Sequence, residues 1–183
     1  MATLSNFKSA LEFGGARPSL FDMTRFDPIS ITGVAMVAMS FHCNVSAIPP
    51  LTVTPIERQY FGRTVKIPGD IVFGDLSTTI INAEDYKVRN SIEAWMEAIN
   101  ATAGNVGFSD NESWVSSAQL RQYGKDGSTL IDYDFWDIWP TTISEIALSY
   151  DTASDIEQFD VTWAYNYYET ASQGSNVVKG DQS

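Results

Sequence analysis

Residues 143–168 alternate strictly between apolar and polar positions. On the first arm Ile146, Leu148 and Tyr150 point one way, and Glu145, Ala147, Ser149 and Asp151 point the other. On the second arm Phe159, Val161, Trp163, Tyr165 and Tyr167 share one face, and Asp160, Thr162, Ala164 and Asn166 share the opposite one. Period two over two arms predicts two half-buried strands, with the polar stretch 151–155 as the hairpin loop between them. The aromatic face belongs in a core. The other face is short, polar and acidic, without Lys or Arg.

The rest of the chain reads in order. Residues 1–16 form an arm with Leu4, Phe7, Ala10 and Leu11 at helical spacing. Such an arm packs either on a neighbouring subunit or on its own domain. Gly14-Gly15 ends it, and Arg17-Pro18 imposes an extended backbone. A first strand is expected at 19–26, a turn at Asp27-Pro28, and a long buried strand at 29–45. Residues 51–67 predict a projecting hairpin: Thr52, Val53 and Thr54, and later Thr64, Val65 and Ile67, have strand propensity around Tyr60-Phe61-Gly62. Pro55 keeps that segment out of a sheet centre. Arg58, Tyr60, Phe61 and Arg63 at its tip suit a protein contact. A turn is expected at 68–70 and a strand at 76–82. Val88, Ile92, Trp95, Met96 and Ile99 mark one face of a helix over 84–101, with Gly104 as its stop. Residues 117–123 and 128–135 form a hairpin around Gly124-Lys125-Asp126-Gly127, and Pro140 closes the strand that follows. Residues 170–183 are rich in Gly, Ser, Asn and Gln and are expected to be a mobile tail. The whole, 1–183, reads as a single mainly β domain: two packed antiparallel sheets, as sandwich or barrel, with one α-helix.

Composition narrows the function. A net charge of −12 and a pI near 4.3 argue against affinity for nucleic acid, which rests on Lys and Arg at phosphates. Cys43 is the one cysteine, so there is no disulfide framework and no multi-cysteine metal site. His42 is the one histidine; beside Cys43 on a strand it would point to the opposite face, which makes a nucleophile pair difficult. There is no Gly-x-Ser-x-Gly elbow and no phosphate-cradling glycine loop. Asp132, Asp134 and Asp137 resemble a calcium ladder but lack the glycine and the terminal glutamate of a calcium loop. Asp151, Asp155 and Glu157 read as a solvated turn rather than an acid–base pair. No catalytic, cofactor or metal site is expected. The first twenty residues contain no continuous apolar leader core. The most apolar run, 29–41, is too short to span a membrane, so no membrane insertion is expected.

At this point a resemblance adds to the residue reading. Ala16-Arg17-Pro18 with Leu20-Phe21, Phe41-His42-Cys43 leading to Ala47-Ile48-Pro49, and Pro68-Gly69-Asp70 occur in order. So do Ser117-Ala118 with Leu120-Arg121-Gln122-Tyr123, Leu130 to Thr141, Glu145 with Leu148, and Glu157 to Glu169. This collinear set resembles the tail tube proteins of contractile-tailed, T-even-like bacteriophages. The departures are extra residues around 27–33 and the polar tail after Glu169.

The resemblance implies a haemolysin-coregulated-protein-like fold and no cofactor or catalysis. It implies hexameric rings stacked in a helical tube, with a sheath protein around it and baseplate and tail-terminator proteins at its ends. Double-stranded DNA would pass through without specific binding. The location implied is the virion tail, assembled in the host cytoplasm. A related contractile injection system's tube protein, or a baseplate protein that initiates the tube, would share these features. A monomeric ligand-binding β-barrel is the reading from another class. For ring stacking and subunit contact the expected residues are Arg58, Tyr60, Phe61, Arg63, Leu4 and Phe7. For the lumen they are Glu145, Ser149, Asp151, Asp160, Thr162 and Asn166, because a lumen carrying Lys or Arg would hold phosphates and slow the DNA.

Overall fold

The structure is a computed structural model. It describes residues 6, 15–28, 42–104, 107, 114–149 and 156–172, with the backbone alone at 27, 28 and 172. The elements in order are β1 (Phe21–Pro28), β2 (Cys43–Ala47), β3 (Leu51–Tyr60), β4 (Arg63–Phe73), β5 (Leu76–Ile81), helix α1 (Lys87–Ile99), β6 (Ser116–Tyr123), β7 (Thr129–Ile143), β8 (Gln158–Ala164) and β9 (Tyr167–Ser172).

Two antiparallel sheets share the long strand β7. Its first part lies between β6 and β9, with β1 beyond β6. This is sheet A. Its last part, Trp139 to Ile143, pairs with β8 around an irregularity at Thr141; β8 pairs with β5, which pairs with β2. This is sheet B. The handover occurs at Asp137, whose φ of 56° is left-handed. Ser117 faces Trp136 and Ser116 faces Ile138, so Asp137 is an extra residue, a β-bulge that turns the strand. The neighbouring strand breaks at the same level. Asn166, between β8 and β9, donates its N–H to Trp136 O at 3.2 Å and its Nδ2 to Asp137 Oδ2 at 2.8 Å. The two irregularities stitch each other.

Between the sheets lies one core. It takes Met23 and Phe26 from β1, Leu120 from β6, Phe135 and Ile138 from β7, and Phe159, Val161 and Trp163 from β8. Leu76 and Ile80 come from β5, and Val88, Ile92 and Trp95 from α1. Trp163 is the hub. Its ring lies 4.7 Å from Phe26 and 6.0 Å from Trp95. Its Nε1 donates to Thr78 Oγ1 at 2.9 Å, and Trp95 Nε1 donates to Trp114 O at 2.8 Å. Both indoles are buried with their polar atoms satisfied, as burial of a tryptophan requires.

The helix starts at Lys87 after a left-handed Tyr86. Asp85 accepts the Lys87 N–H, and Glu157 accepts from Asn82 and from Tyr86 OH at 2.9 and 2.7 Å. Those two hydrogen bonds hold the Glu157 carboxyl below its ordinary range. This contribution is present above the ordinary glutamate value and is lost as pH falls through the lowered one. The helix ends at Ile99, where Asn100 turns extended, before the Gly104 expected to stop it.

Other expectations are corrected by register. Asp27 and Pro28 are paired with Ser117 and Ser116 as the end of β1, not a turn. Pro68-Gly69-Asp70 lies inside β4, so the hairpin reaches Phe73. Pro140 does not end its strand: β7 runs to Ile143, and among the described residues it is paired there on one side, by β8. A proline is tolerated on such an edge. No strand covers 144–149; Leu148 is exposed, and the hairpin partner of β8 is the end of β7. The break at 165–166 shifts the alternation, so Tyr168 packs on the core and Tyr167 does not. The expected strand at 29–41, the loop at 151–155 and the tail from 173 lie outside the described residues.

Truncating the hub tests the core. Trp163→Ala should destabilise the fold by about 3–5 kcal/mol, as large aromatic truncations do, lowering Tm by roughly 10 °C for a chain of this size. A melt within a degree or two of the parent would contradict the hub role.

Candidate functional site

Outside the core the molecule offers three surfaces. The first is the β3–β4 hairpin. Its strands pair with each other from Leu51–Phe73 to Tyr60–Arg63, and its 2-stranded sheet joins no other. At the usual strand rise it is roughly 30 Å long. Every residue of β3 is exposed, and along β4 only Gly69 and Phe73 are partly covered. Pairing places Ile56, Arg58, Tyr60, Arg63, Val65 and Ile67 on one face and Glu57, Gln59, Thr64 and Lys66 on the other. Near the middle, Thr54 faces two residues, and a Cβ on Gly69 would meet Thr54 O at 2.5 Å. Glycine is required there by close backbone approach.

The tip is a two-residue turn with positive φ at both central residues, 43° at Phe61 and 74° at Gly62. Turns of this hand match the twist of a hairpin, but asparagine or glycine usually takes the first place. A bulky residue there is strained. Phe61 is also 90% exposed, with Tyr60 edge-on to it at 4.6 Å. Of the expected contact residues, the structure thus gathers Arg58, Tyr60, Phe61 and Arg63 at one end. Leu4 and Phe7 lie outside the described residues.

The root of the hairpin is packed on the core, and sequence reasoning did not identify it. Phe73 packs on Tyr165 and Tyr168, at 6.1 and 5.3 Å, and those rings pack on Phe135. Tyr165 OH donates to Gly74 O at 2.6 Å, and Gly74 N–H donates to Pro50 O at 3.0 Å. Burial, then the neighbouring Tyr168 and Asp75, push the Tyr165 hydroxyl up to about 12. The signal was present in the Tyr165-x-x-Tyr168 spacing, but strict alternation hid it.

The second surface is the outward face of sheet B. In-register pairs place Thr162 beside Ser77 and Thr142, Asp160 beside Thr79, and Gln158 beside Ile81. Thr79 Oγ1 donates to Asp160 Oδ1 at 2.6 Å. Val45 and Ala47 extend this face on β2. Asp160 and Thr162 are therefore where the polar alternation put them. Glu145 and Ser149 are exposed on the segment after β7, whose Ser144 exchanges hydrogen bonds with Asp160. Asn166 is not part of this face; its side chain is used at the bulge. Asp151 lies outside the described residues.

The third surface is the outward face of sheet A. It carries Gln119, Arg121, Asp132, Asp134, Trp136, Tyr167 and Glu169. Arg121 grips Asp132 at 2.7 and 3.0 Å, and Gln119 donates to Asp134 at 2.7 Å. The three aspartates once comparable to a calcium ladder are thus dispersed. Asp132 and Asp134 share this face, and Asp137 is bonded to Asn166. No group of three metal-ligating side chains occurs among the described residues. Cys43 is half-buried, and burial followed by Asp22 raises its thiol to about 11, away from nucleophilic character. A groove of about 240 Å³ between Phe21, Ile48, Leu120 and Tyr133 is walled mostly by apolar side chains. No described helix is long and apolar enough to cross a membrane.

Tyr165→Phe removes one hydrogen bond at the hairpin root and leaves the ring packing. It should lower stability by about 1 kcal/mol and speed amide exchange at Gly74 in the parent fold. In the parent the same contact is fully present below pH 10 and is lost as pH rises through about 12. Unchanged exchange at Gly74 in the variant would show that the root is held by packing alone.

The comparisons agree with this geometry. The tail tube protein gp19 of Enterobacteria phage T4 is 28% identical over 155 residues, covering 84% of this chain and 91% of that one. The tail tube protein of Serratia phage KSP90 is 24% identical over 183 residues, covering 96% and 99%. Among solved structures, the sheath–tube complex of the extracellular contractile injection system PVC in its extended state aligns with a TM-score of 0.60, at 14% identity over 93% of this chain and 99% of that one. The tube-terminating cap of the anti-feeding prophage aligns with a TM-score of 0.62, at 14% identity over 86% and 91%. At such identity these two likenesses speak for the fold. The phage tail tube protein family is matched over residues 16–171, and the chain belongs to that family.

Proposed function

We propose that this protein is the repeating subunit of a contractile phage's tail tube. Six copies form a ring, rings stack, and double-stranded DNA passes through the lumen without specific binding. The sheath surrounds the tube, baseplate and terminator proteins close its ends, and the subunit is structural rather than catalytic. Its place is the virion tail, assembled in the host cytoplasm.

The observation that carries the conduit reading is the contrast between the two outward sheet faces. Sheet B presents Ser77, Thr79, Thr142, Gln158, Asp160 and Thr162, and no Lys or Arg among its described residues. Side chains of this kind give passing phosphates no cation to pair with. Asp160 adds weak repulsion, screened over roughly 8 Å at physiological salt, that keeps a duplex centred. Sheet A presents Arg25 and Arg121, the carboxylates Asp22, Asp132, Asp134 and Glu169, and the rings of Trp136 and Tyr167; arginines and aromatic rings are the residues enriched at protein contacts. The exposed hairpin supports stacking: a two-stranded ribbon is marginal alone in water and gains by lying on another subunit.

Negative-stain microscopy of the purified protein should show rings and tubes. Removing residues 58–63 should leave a folded subunit that makes none; normal tubes from that deletion would refute the stacking role of the tip.

The lumen assignment has its own test. Ser77→Lys with Asp160→Lys should permit tubes but slow DNA release from particles several-fold, and more at low ionic strength, where phosphate attraction is less screened. Identical release kinetics at every ionic strength, with tubes intact, would place sheet B elsewhere.

A further inference from the structure

The outward face of sheet A contains an unresolved charge. Asp134 and Glu169 stand directly opposite on β7 and β9, and like charges in that position destabilise a strand pair. Arg121 is engaged by both oxygens of Asp132, and Arg25 stands two strands from Asp134, beyond Gln119; neither is ion-paired with Asp134 or Glu169 among the described residues. Asp134 receives the Gln119 amide, and Glu169 forms no hydrogen bond or ion pair among the described residues. One step along the strands, Trp136 and Tyr167 stack at 6.4 Å with 22° between their planes, and both are about 40% exposed. Two carboxylates beside two flat rings are the surroundings a guanidinium prefers. The carboxylates accept its forked donors and the rings take its face.

The hairpin offers the complement. Residues 51–73 carry Arg58, Arg63 and Lys66 against Glu57 and Asp70, a net positive ribbon on a chain of net −12. Lys66 is paired with Glu57. Arg58 and Arg63 are in no ion pair among the described residues and flank Tyr60 on one face. Among the described residues the hairpin pairs with no other strand, which leaves both guanidinium groups available to a second copy.

We propose that the Glu169–Asp134–Trp136–Tyr167 face receives the Arg58–Tyr60–Arg63 face of the hairpin from a second copy of this chain. The proposal rests on the tube reading and specifies its stacking contact. The guanidinium group lies between Glu169 and Asp134, and Tyr60 adds its ring to the Trp136–Tyr167 stack. Because Glu169, Arg58 and Arg63 are all exposed in the subunit, reversing their charges leaves the fold intact.

The test is a charge exchange on purified full-length protein, with tubes quantified by sedimentation and microscopy and the subunit checked by thermal melting. Glu169→Arg, Arg58→Glu and Arg63→Glu are each expected to cut sedimentable tube at least tenfold while melting like the parent. Glu169→Arg combined with one of the two Arg→Glu changes should restore tubes to within about twofold of the parent. Three results overturn the proposal: single variants that assemble normally, exchanges no better than the worse single variant in both pairings, or Glu169→Arg tubes that form but no longer gather sheath. Each of these leaves the parent's own tubes, and so the tube reading, standing; a parent that makes no tubes under any condition removes both.

Discussion

A two-stranded ribbon satisfies its own backbone but cannot cover its own side chains, and much of this molecule follows from that constraint. In β3 and β4, Ile56, Val65, Ile67 and Ile71 are all near half exposed, far from the core. At about 25 cal/mol per Å² of apolar surface, covering these side chains favours association. Large contiguous apolar patches on soluble subunits mark interaction sites. The strained, fully exposed Phe61 agrees: an outlier of this kind persists where the surrounding contacts over-determine it. In the proposed stacking role the ribbon also has to be aimed. The Phe73–Tyr165–Tyr168–Phe135 cluster and the Tyr165–Gly74 hydrogen bond fix its root to the core, so its direction is set before any partner arrives.

The aim depends in turn on how the two sheets are joined. Sharing β7 means that one bulge at Asp137 sets the angle between sheets A and B, and Asn166 locks the adjacent strand to it. The same junction gives the two outward faces different characters. On one side of it the strands carry small hydroxyls and Asp160. On the other they carry Trp136, Tyr167 and most of the charge. The two surfaces point away from a single core, so one can face a channel while the other faces protein, without either compromising the packing around Trp163.

Much of this was legible in the sequence, for a physical reason. Period two in Phe159–Val161–Trp163 and period 3.6 in Val88–Ile92–Trp95 are imposed by burial, and burial is what hydrophobic pattern records. The hairpin tip was legible because aromatics and arginines around a glycine have no core to enter. What stayed hidden was set by pairing instead. Tyr165 and Tyr167 continue the alternation in sequence, yet the break at Asn166 exists only because Asp137 bulges on the strand beside it, 29 residues away. Pro140 and Pro68 read as strand ends, but each lies in a strand with an open edge, where a missing N–H is harmless. Asp160 and Thr162 precede the break and keep the outward face of sheet B that the alternation gives them. Asn166 follows it and lies off that face. The Asp134–Glu169 opposition was out of reach too, since it requires the β7–β9 register.

Charge finally has to be reconciled with assembly. Copies at −12 repel one another, and that repulsion is long-ranged and weakened by salt. The ribbon carries a net positive charge, and in the proposed contact it meets carboxylates of a neighbouring copy. In that contact the attraction would be short-ranged, and Trp136, Tyr167 and Tyr60 would shield it from water and ions. Salt therefore acts unequally on the two terms. It relieves the diffuse repulsion between bodies before it weakens a partly desolvated arginine contact. A net-positive hairpin on a chain of net −12 thus favours contacts in which the hairpin meets carboxylates over contacts between acidic faces.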